Sequence, residues 1–556
     1  MAARRLNRAG TLLVGTIPLL ALLIGFVPPA QPTDRANVAR SDVDQPEIDT
    51  VVVDTDKGLL RGRQHTNYRT FRGVPFAAPP IGPRRWRAPD EPRPWQGVRS
   101  ALESGNRCPQ AESATGAPAS RTEDCLYLEV TTPDTATPTH PKPVMVWLHG
   151  GGFVEGAGSE YDPRRLAIEG DVVVVTVNYR LGIFGNFGYP DLAGSGAFGI
   201  QDQQAALRWV HRNIASFGGT PDNITLFGQS AGGQSVCAQL ASPTSAGLFD
   251  RAIIQSAFCT RDIPAGVLAP GLPTSSPWES AKSRAERGAA AAKDLGCADE
   301  KDTMSCLREL PVDRLMPWFG QFASPSYGNE VLPRNPYDML RRNQLHRVPV
   351  LSGTTRDEMT YAQGLFDLAK GGPLTEREYR ANLSEAFGDD AAKRIARLYP
   401  SRDYPNPSRA WAAVSTDSAM TCPSLDRGRL FARSVPTYQY EFADRSVPSP
   451  LPPVGYSYGA YHSADAYYLF DVAYSDGVRL DARQRRLADR MIRYWTAFAH
   501  HGDPNIRTGP RWPRTTPTGT SSRVLSLAPG SNGVEVTDPE VAHSCEFWDE
   551  VRPRRQ

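Results

Sequence analysis

Ser230 sits in Gly228-Gln229-Ser230-Ala231-Gly232, a G-x-S-x-G pentapeptide flanked by Asn223-Ile224-Thr225-Leu226-Phe227 and Gly233-Gln234-Ser235-Val236-Cys237. The upstream run predicts a short buried strand and the downstream run the start of a helix. A serine at such a junction stands on a sharp turn with its hydroxyl held out into a cleft, and the glycines leave room for the tight backbone. An alcohol placed there becomes a nucleophile once a histidine can take its proton. The same pattern recurs at Gly455-Tyr456-Ser457-Tyr458-Gly459, preceded by Pro448-Ser449-Pro450-Leu451-Pro452-Pro453. Proline lacks the N–H that a central strand needs, so no strand leads into Ser457 and a loop is expected there.

Acyl chemistry also needs donors for an oxyanion. His149-Gly150-Gly151-Gly152-Phe153 follows the apolar run ending at Trp147-Leu148. Glycines after a buried strand free the backbone to aim N–H groups into a cleft. Gly151 and Gly152, with Ala231 just after the serine, make a candidate three-donor oxyanion hole. Each donor of this kind is worth about 3–4 kcal/mol in the transition state.

The base must come from nine histidines. His149 opens the glycine run and is expected to shape that loop. His65, His140 and His346 lie in polar surroundings and His211 within a helix. His500 and His501 close the last helix, where cations suit the dipole. His543 stands beside Cys545. His462, in Gly459-Ala460-Tyr461-His462-Ser463-Ala464-Asp465, falls in a loop C-terminal to the serine. That is the Ser…acid…His order this elbow demands. For the acid, Asp357 and Glu358 follow the apolar run at 348–352 and serve equally by chemistry. Asp465 is a third candidate, but so close to His462 it is expected to cap or pack locally.

These groups need a frame. Valine-rich runs at 143–148 and 171–178 suit buried strands of a mostly parallel sheet, with further strands at 248–256, 348–352 and 437–442. Runs 51–53 and 58–63 read as a leading hairpin. Helices are expected at 202–214 and 481–500, the latter capped by Asp481. Strands alternating with helices argue for a doubly wound α/β layer. The stretches 260–347 and 357–436 read as helical insertions, placed to wall a cleft beyond the carboxyl ends of the strands.

With 62 basic and 60 acidic residues over 556 positions, the chain carries no field for a polyanion, which speaks against nucleic-acid partners. Arg4, Arg5 and Arg8 precede an apolar run at 11–27 and Pro28-Pro29-Ala30, followed by a polar segment at 31–45. Residues 1–30 thus read as a secretory signal, with an uncleaved membrane anchor as the alternative. Residues 46–556 are expected to form one catalytic domain. Eight cysteines without a C-x-x-C pair fit an oxidising compartment and no structural zinc site. Locality favours pairing Cys108 with Cys125 and Cys297 with Cys306.

Phe71-Arg72-Gly73-Val74-Pro75-Phe76-Ala77-Ala78-Pro79-Pro80, Glu123-Asp124-Cys125-Leu126-Tyr127-Leu128, Asn178-Tyr179-Arg180-Leu181-Gly182, Gly199-Ile200-Gln201-Asp202-Gln203 and Asn213-Ile214-Ala215-Ser216-Phe217-Gly218-Gly219 occur in order around the glycine run and the elbow. In these segments the chain resembles type-B carboxylesterases, the group that includes cholinesterases. The resemblance implies an α/β-hydrolase fold, a mostly parallel central sheet flanked by helices, with large helical insertions over the active site. It implies Ser230 as nucleophile, His462 as base and Glu358 as acid, although Met359 and Ser463 replace glycines frequent in the family. It implies the bridges Cys108–Cys125, Cys297–Cys306 and Cys422–Cys545, which leaves Cys237 and Cys259 as a fourth pair. Arg85 and Glu123 resemble a structural ion pair.

The expected activity is that of a serine carboxylesterase on neutral esters with short-to-medium acyl chains, without metal or organic cofactor. The tryptophan that stacks on choline in cholinesterases is missing from 109–124, and Gln229 replaces their glutamate. Phe153, Phe322 and Tyr327 are candidate pocket walls or core. A lipase, an amidase or carbamate hydrolase, and a non-catalytic binding protein on the same fold are the rivals. No oligomeric state is assigned.

Overall fold

The computed structural model describes residues 49–268, 271–298, 301–475, 477–518 and 522–552. The expected signal, the polar segment and any anchor lie outside the described residues. Among the described residues no helix is long and apolar enough to cross a membrane.

A 13-stranded sheet organises the chain. Its strands are β1 (Thr50–Thr55), β2 (Gly58–Gln64), β3 (Tyr68–Pro75), β4 (Val98–Ser100), β5 (Tyr127–Pro133), β6 (Lys142–Leu148) and β7 (Val173–Val177), then β8 (Gly219–Gln229), β9 (Arg251–Gln255), β10 (Val350–Thr355), β11 (Thr437–Phe442), β12 (Val524–Leu527) and β13 (Val534–Thr537). The spatial order is β1-β2-β3-β5-β7-β6-β8-β9-β10-β11-β12-β13, with β4 beside β2. From β7 to β12 every pairing is parallel, while β1, β2, β3 and β5 and the last strand β13 pair antiparallel and the short β4 lies parallel to β2. This is the α/β-hydrolase architecture the resemblance implied.

Alternation along β6 explains why the middle of the sheet is buried on both faces. Val144, Val146 and Leu148 join one apolar cluster, and Met145 and Trp147 join another on the opposite face. Helices α1 (Phe198–Asn213) and α2 (Ala231–Ala241) supply Leu207, Val210, Val236 and Leu240 to the first cluster. The long terminal helix Ala482–His501 covers the other with Met491, Ile492, Trp495 and Phe498. Asp481 caps it, accepting from the N–H groups of Arg483 and Gln484 in a capping box with the Gln484 side chain.

Some boundaries move for physical reasons. Strand β8 starts at Gly219, well before the apolar run, because Gly219 pairs with Lys142 at the foot of β6. Strand β9 is shorter than 248–256, since the Asp250 carboxylate accepts from the Ile224 N–H outside the ladder. The segments 256–349 and 356–436 leave from the carboxyl ends of β9 and β10 as mostly helical insertions. All four cysteine pairs form, including Cys237–Cys259 and the long-range Cys422–Cys545.

His543, buried beside Cys545, holds the C-terminal segment to the sheet. Its Nδ1 faces Asp417 Oδ1 at 2.5 Å and its Nε2 faces Glu441 Oε1 at 2.7 Å. Both nitrogens meet carboxylates, so both must carry protons. Burial alone would lower its pKa, but the Asp417 and Glu441 charges and hydrogen bonds raise it to about 10. A pKa raised above the unfolded value of about 6.5 contributes stability that is whole below that pH. It is lost as pH rises through about 10. Thermal melts from pH 6 to 10.5 should show this loss in the wild type. His543→Gln should flatten it and, by removing the cation that bridges two buried carboxylates, cost about 3–5 kcal/mol at neutral pH.

Candidate active site

Strand β8 ends at Gln229 and α2 begins at Ala231, so Ser230 alone makes the turn. Its backbone stands at φ 57°, ψ −122°, a strained conformation that a non-glycine residue keeps only when its surroundings enforce it. The Ser230 N–H donates to the Gln255 carbonyl at the end of β9, and its own carbonyl accepts from Gln234 N–H. The last glycine of the pentapeptide is a matter of space. A Cβ on Gly232 would lie 1.9 Å from the Leu148 carbonyl oxygen.

His462 reaches this serine from a loop ahead of the short turn Ala464–Tyr468. Its Nε2 is 2.9 Å from Ser230 Oγ, and its Nδ1 is 2.5 Å from Glu358 Oε2. Glu358, fully buried just past β10, is oriented through Oε1, which accepts from the Thr355 N–H at 2.8 Å. Burial pulls the His462 pKa down, but the Glu358 charge and hydrogen bond outweigh it and leave the imidazole more basic than usual. The neutral Gln229 carboxamide lies 3.2 Å from the same Nε2.

Asp357 and Asp465 turn elsewhere. Asp357 faces Arg409 and Arg445. Asp465 does not cap locally, contrary to expectation. It is buried behind the histidine, accepting from Gln255 on β9 and Tyr440 on β11. Met359 stands at φ −87°, a region open to any residue, so the family's glycine is not required there. Ser463 keeps the left-handed conformation, φ 73°, that favours glycine.

Behind the serine, Gly151 and Gly152 adopt φ 103° and 61°. Ala231 opens α2, where N–H groups have no acceptor within the helix. His149 shapes this loop as expected. It is buried, stacks on Tyr179 at 4.4 Å, and is kept neutral by burial, its pKa pushed down to about 4. Three side chains support the loop; Asn178 and Tyr179 belong to a segment that carries the resemblance, without a role given to them there, and Gln110 was not named from the sequence. The Gln110 carboxamide brackets Gly156, accepting from its N–H at 2.9 Å and donating to its carbonyl at 3.0 Å. Asn178 accepts from the Gly158 N–H, and the Tyr179 hydroxyl donates to the His149 carbonyl. Gln110 sits two residues after Cys108, so the only sequence signal was its place in a disulfide loop. Glu155 follows the same glycines, and burial together with the Glu160 charge pushes its carboxyl up to about 7.

The remaining candidates fall into place as scaffold. Ser457 lies in a loop, its Oγ accepting from Gly459 N–H. Phe322 is core, packed between Phe187 and the Arg284 guanidinium, and Phe153 is buried near Tyr179. Tyr327 pairs in a two-residue strand. Arg85 donates to both oxygens of Glu123, as the resemblance implied. Among the described residues no cluster of His, Cys, Asp and Glu could hold a metal ion.

Residues 49–548 match the profile of the carboxylesterase family. The para-nitrobenzyl esterase of Bacillus subtilis (strain 168) is 32% identical over 480 residues, spanning 83% of this chain and 92% of that protein. An acylcarnitine hydrolase of Mus musculus is 33% identical over 473 residues, spanning 80% and 81%. Among solved structures, a thermophilic para-nitrobenzyl esterase superposes with a TM-score of 0.73 at 29% identity, covering 89% of this chain and 99% of that one.

Proposed function

Because this chain belongs to the carboxylesterase family, we propose that it hydrolyses carboxylic esters through Ser230, with His462 as base and Glu358 as the acid that orients it. One observation carries the reading. Three segments far apart in sequence bring Ser230 Oγ, both imidazole nitrogens and the Glu358 carboxylate into one hydrogen-bonded line.

In this reading His462 Nε2 takes the Ser230 proton as Oγ attacks the ester carbonyl. The oxyanion is held by the N–H groups of Gly151, Gly152 and Ala231. Glu358 steadies the imidazolium, which then protonates the departing alcohol. Water, deprotonated by the same histidine, attacks the acyl-serine. The carboxylic acid leaves and Ser230 recovers its proton. The raised basicity of His462 suits both transfers.

The substrates are small-molecule esters, neutral and with short-to-medium acyl chains. Gln229 carries no charge beside His462, and the Cys108–Cys125 loop has no tryptophan to stack on a cation. Residues 46–556 act as one catalytic domain. With all eight cysteines paired, the protein works in an oxidising compartment after secretion.

Hydrolysis of p-nitrophenyl acetate, butyrate and palmitate tests this reading. Acetate and butyrate should be turned over with kcat/KM at least about 10-fold above palmitate. Activity confined to emulsified long-chain glyceride would make the protein a lipase. No turnover of any ester would return it to the class of binding proteins on this fold.

A further inference from the structure

Asp357 matches Glu358 in chemistry, yet its carboxylate points away from the histidine and is saturated by four donors. Oδ1 accepts from Arg409 Nη2 and, at 2.9 Å, from Arg445 Nη2. Oδ2 accepts from Arg445 Nε at 2.9 Å and from the Ala460 N–H at 3.0 Å. The group is 2% exposed. Arg409 comes from the helix Pro407–Thr416 and Arg445 from the turn after β11, so two segments distant in sequence converge on it.

The backbone around this carboxylate laces the acid segment to the histidine segment. Asp357 N–H donates to the Ala460 carbonyl and His462 N–H to the Glu358 carbonyl. The Thr360 hydroxyl lies 2.6 Å from the Tyr458 carbonyl. The fit leaves no slack. Gly459 stands at φ 62°, and a Cβ there would meet Asp357 Oδ2 at 2.4 Å. The final glycine of the second G-x-S-x-G thus serves close approach to Asp357, although Ser457 beside it has no elbow.

We propose that Asp357, clamped by Arg409 and Arg445, is a positioning residue that sets the spacing between Glu358 and His462 by binding the two chain segments that carry them. It touches no reacting atom. Its effect reaches Ser230 through the imidazole alone, so it bears on turnover and not on substrate binding. This role rests on the serine reading above.

Asp357→Asn keeps the shape and loses the charge; Asp357→Glu keeps the charge and lengthens the side chain by one methylene. If spacing is the function, both lose kcat on p-nitrophenyl butyrate by about 10-fold or more with KM within about threefold, since small misplacements of reacting groups are costly. In Asp357→Glu the acid limb of kcat/KM against pH should also move down, as the imidazole loses part of Glu358's influence. A folded Asp357→Glu with wild-type kcat and pH profile overturns the proposal. Should neither variant fold, Arg445→Gln decides, because that side chain is 57% exposed. Lower kcat at unchanged KM supports the clamp and unchanged kcat overturns it. Ser230→Ala measured alongside separates the two readings. An active Ser230→Ala sinks the serine mechanism, whereas an inert one beside a wild-type-like Asp357→Glu sinks only the clamp.

Discussion

Ser230→Ala should abolish ester hydrolysis, lowering kcat by about 10⁵–10⁶-fold while KM stays within about threefold. Alanine removes only the attacking oxygen. The turn it occupies is held by Gln255 and Gln234 through backbone groups, and these do not depend on the hydroxyl. The residue of activity would come from substrate binding and the oxyanion donors alone. Ser457→Ala is the matched control, since its Oγ accepts from the Gly459 N–H within a loop, whereas the imidazole of His462 faces Ser230. Kinetics of both variants on p-nitrophenyl butyrate, with melting temperatures as a folding check, decide the matter. Full activity in Ser230→Ala would remove the nucleophile from its place.

Glu358→Gln should cost about 10⁴-fold in kcat, although it changes little in shape. The surroundings explain why. Oε1 accepts from the Thr355 N–H, so the amide oxygen of a glutamine is drawn to that side. Its NH2 is then left facing His462 Nδ1, where the carboxylate now accepts. A donor at Nδ1 forces the imidazole proton onto Nε2, the nitrogen that must receive the proton of Ser230. The tautomer is wrong before substrate arrives, and no anion remains to steady the imidazolium. A wild-type pH–rate profile and kcat in this variant would show that Glu358 does not orient the base.

Much of this centre was legible because its parts are local in sequence. A strand, a turn of small residues and a helix announce Ser230. The chain order then points to His462. The choice between Asp357 and Glu358 was not legible from the residues, since adjacent carboxylates share a loop and a chemistry. What separates them is which partners the fold delivers, Arg409 and Arg445 to one and His462 to the other. Asp465 misled for a related reason. Its closeness to His462 in sequence suggested a local cap or local packing, whereas its hydrogen bonds run to strands β9 and β11. In the sheet, the central valine-rich strands stand out, but Tyr68–Pro75 carries Arg69 and Arg72 and reads poorly as a strand. Its pairing with Tyr127–Pro133 makes it one. Helix Phe198–Asn213 starts before the expected 202 because the Gly199 segment packs closely against the Arg180 carbonyl.

The four cross-links follow one another along the chain without overlap: 108 with 125, 237 with 259, 297 with 306, and 422 with 545. A nascent polypeptide that emerges N-terminus first therefore meets each partner before the next cysteine of a different pair appears. Every thiol that becomes available finds at most one unpaired companion, provided oxidation keeps pace with synthesis at about 5–20 residues per second. For a chain oxidised as it emerges, the order of arrival by itself selects the native partner of each cysteine. Only the last link waits, its first half exposed until residue 545 is delivered, which makes the closing stage of biogenesis the one most sensitive to interruption.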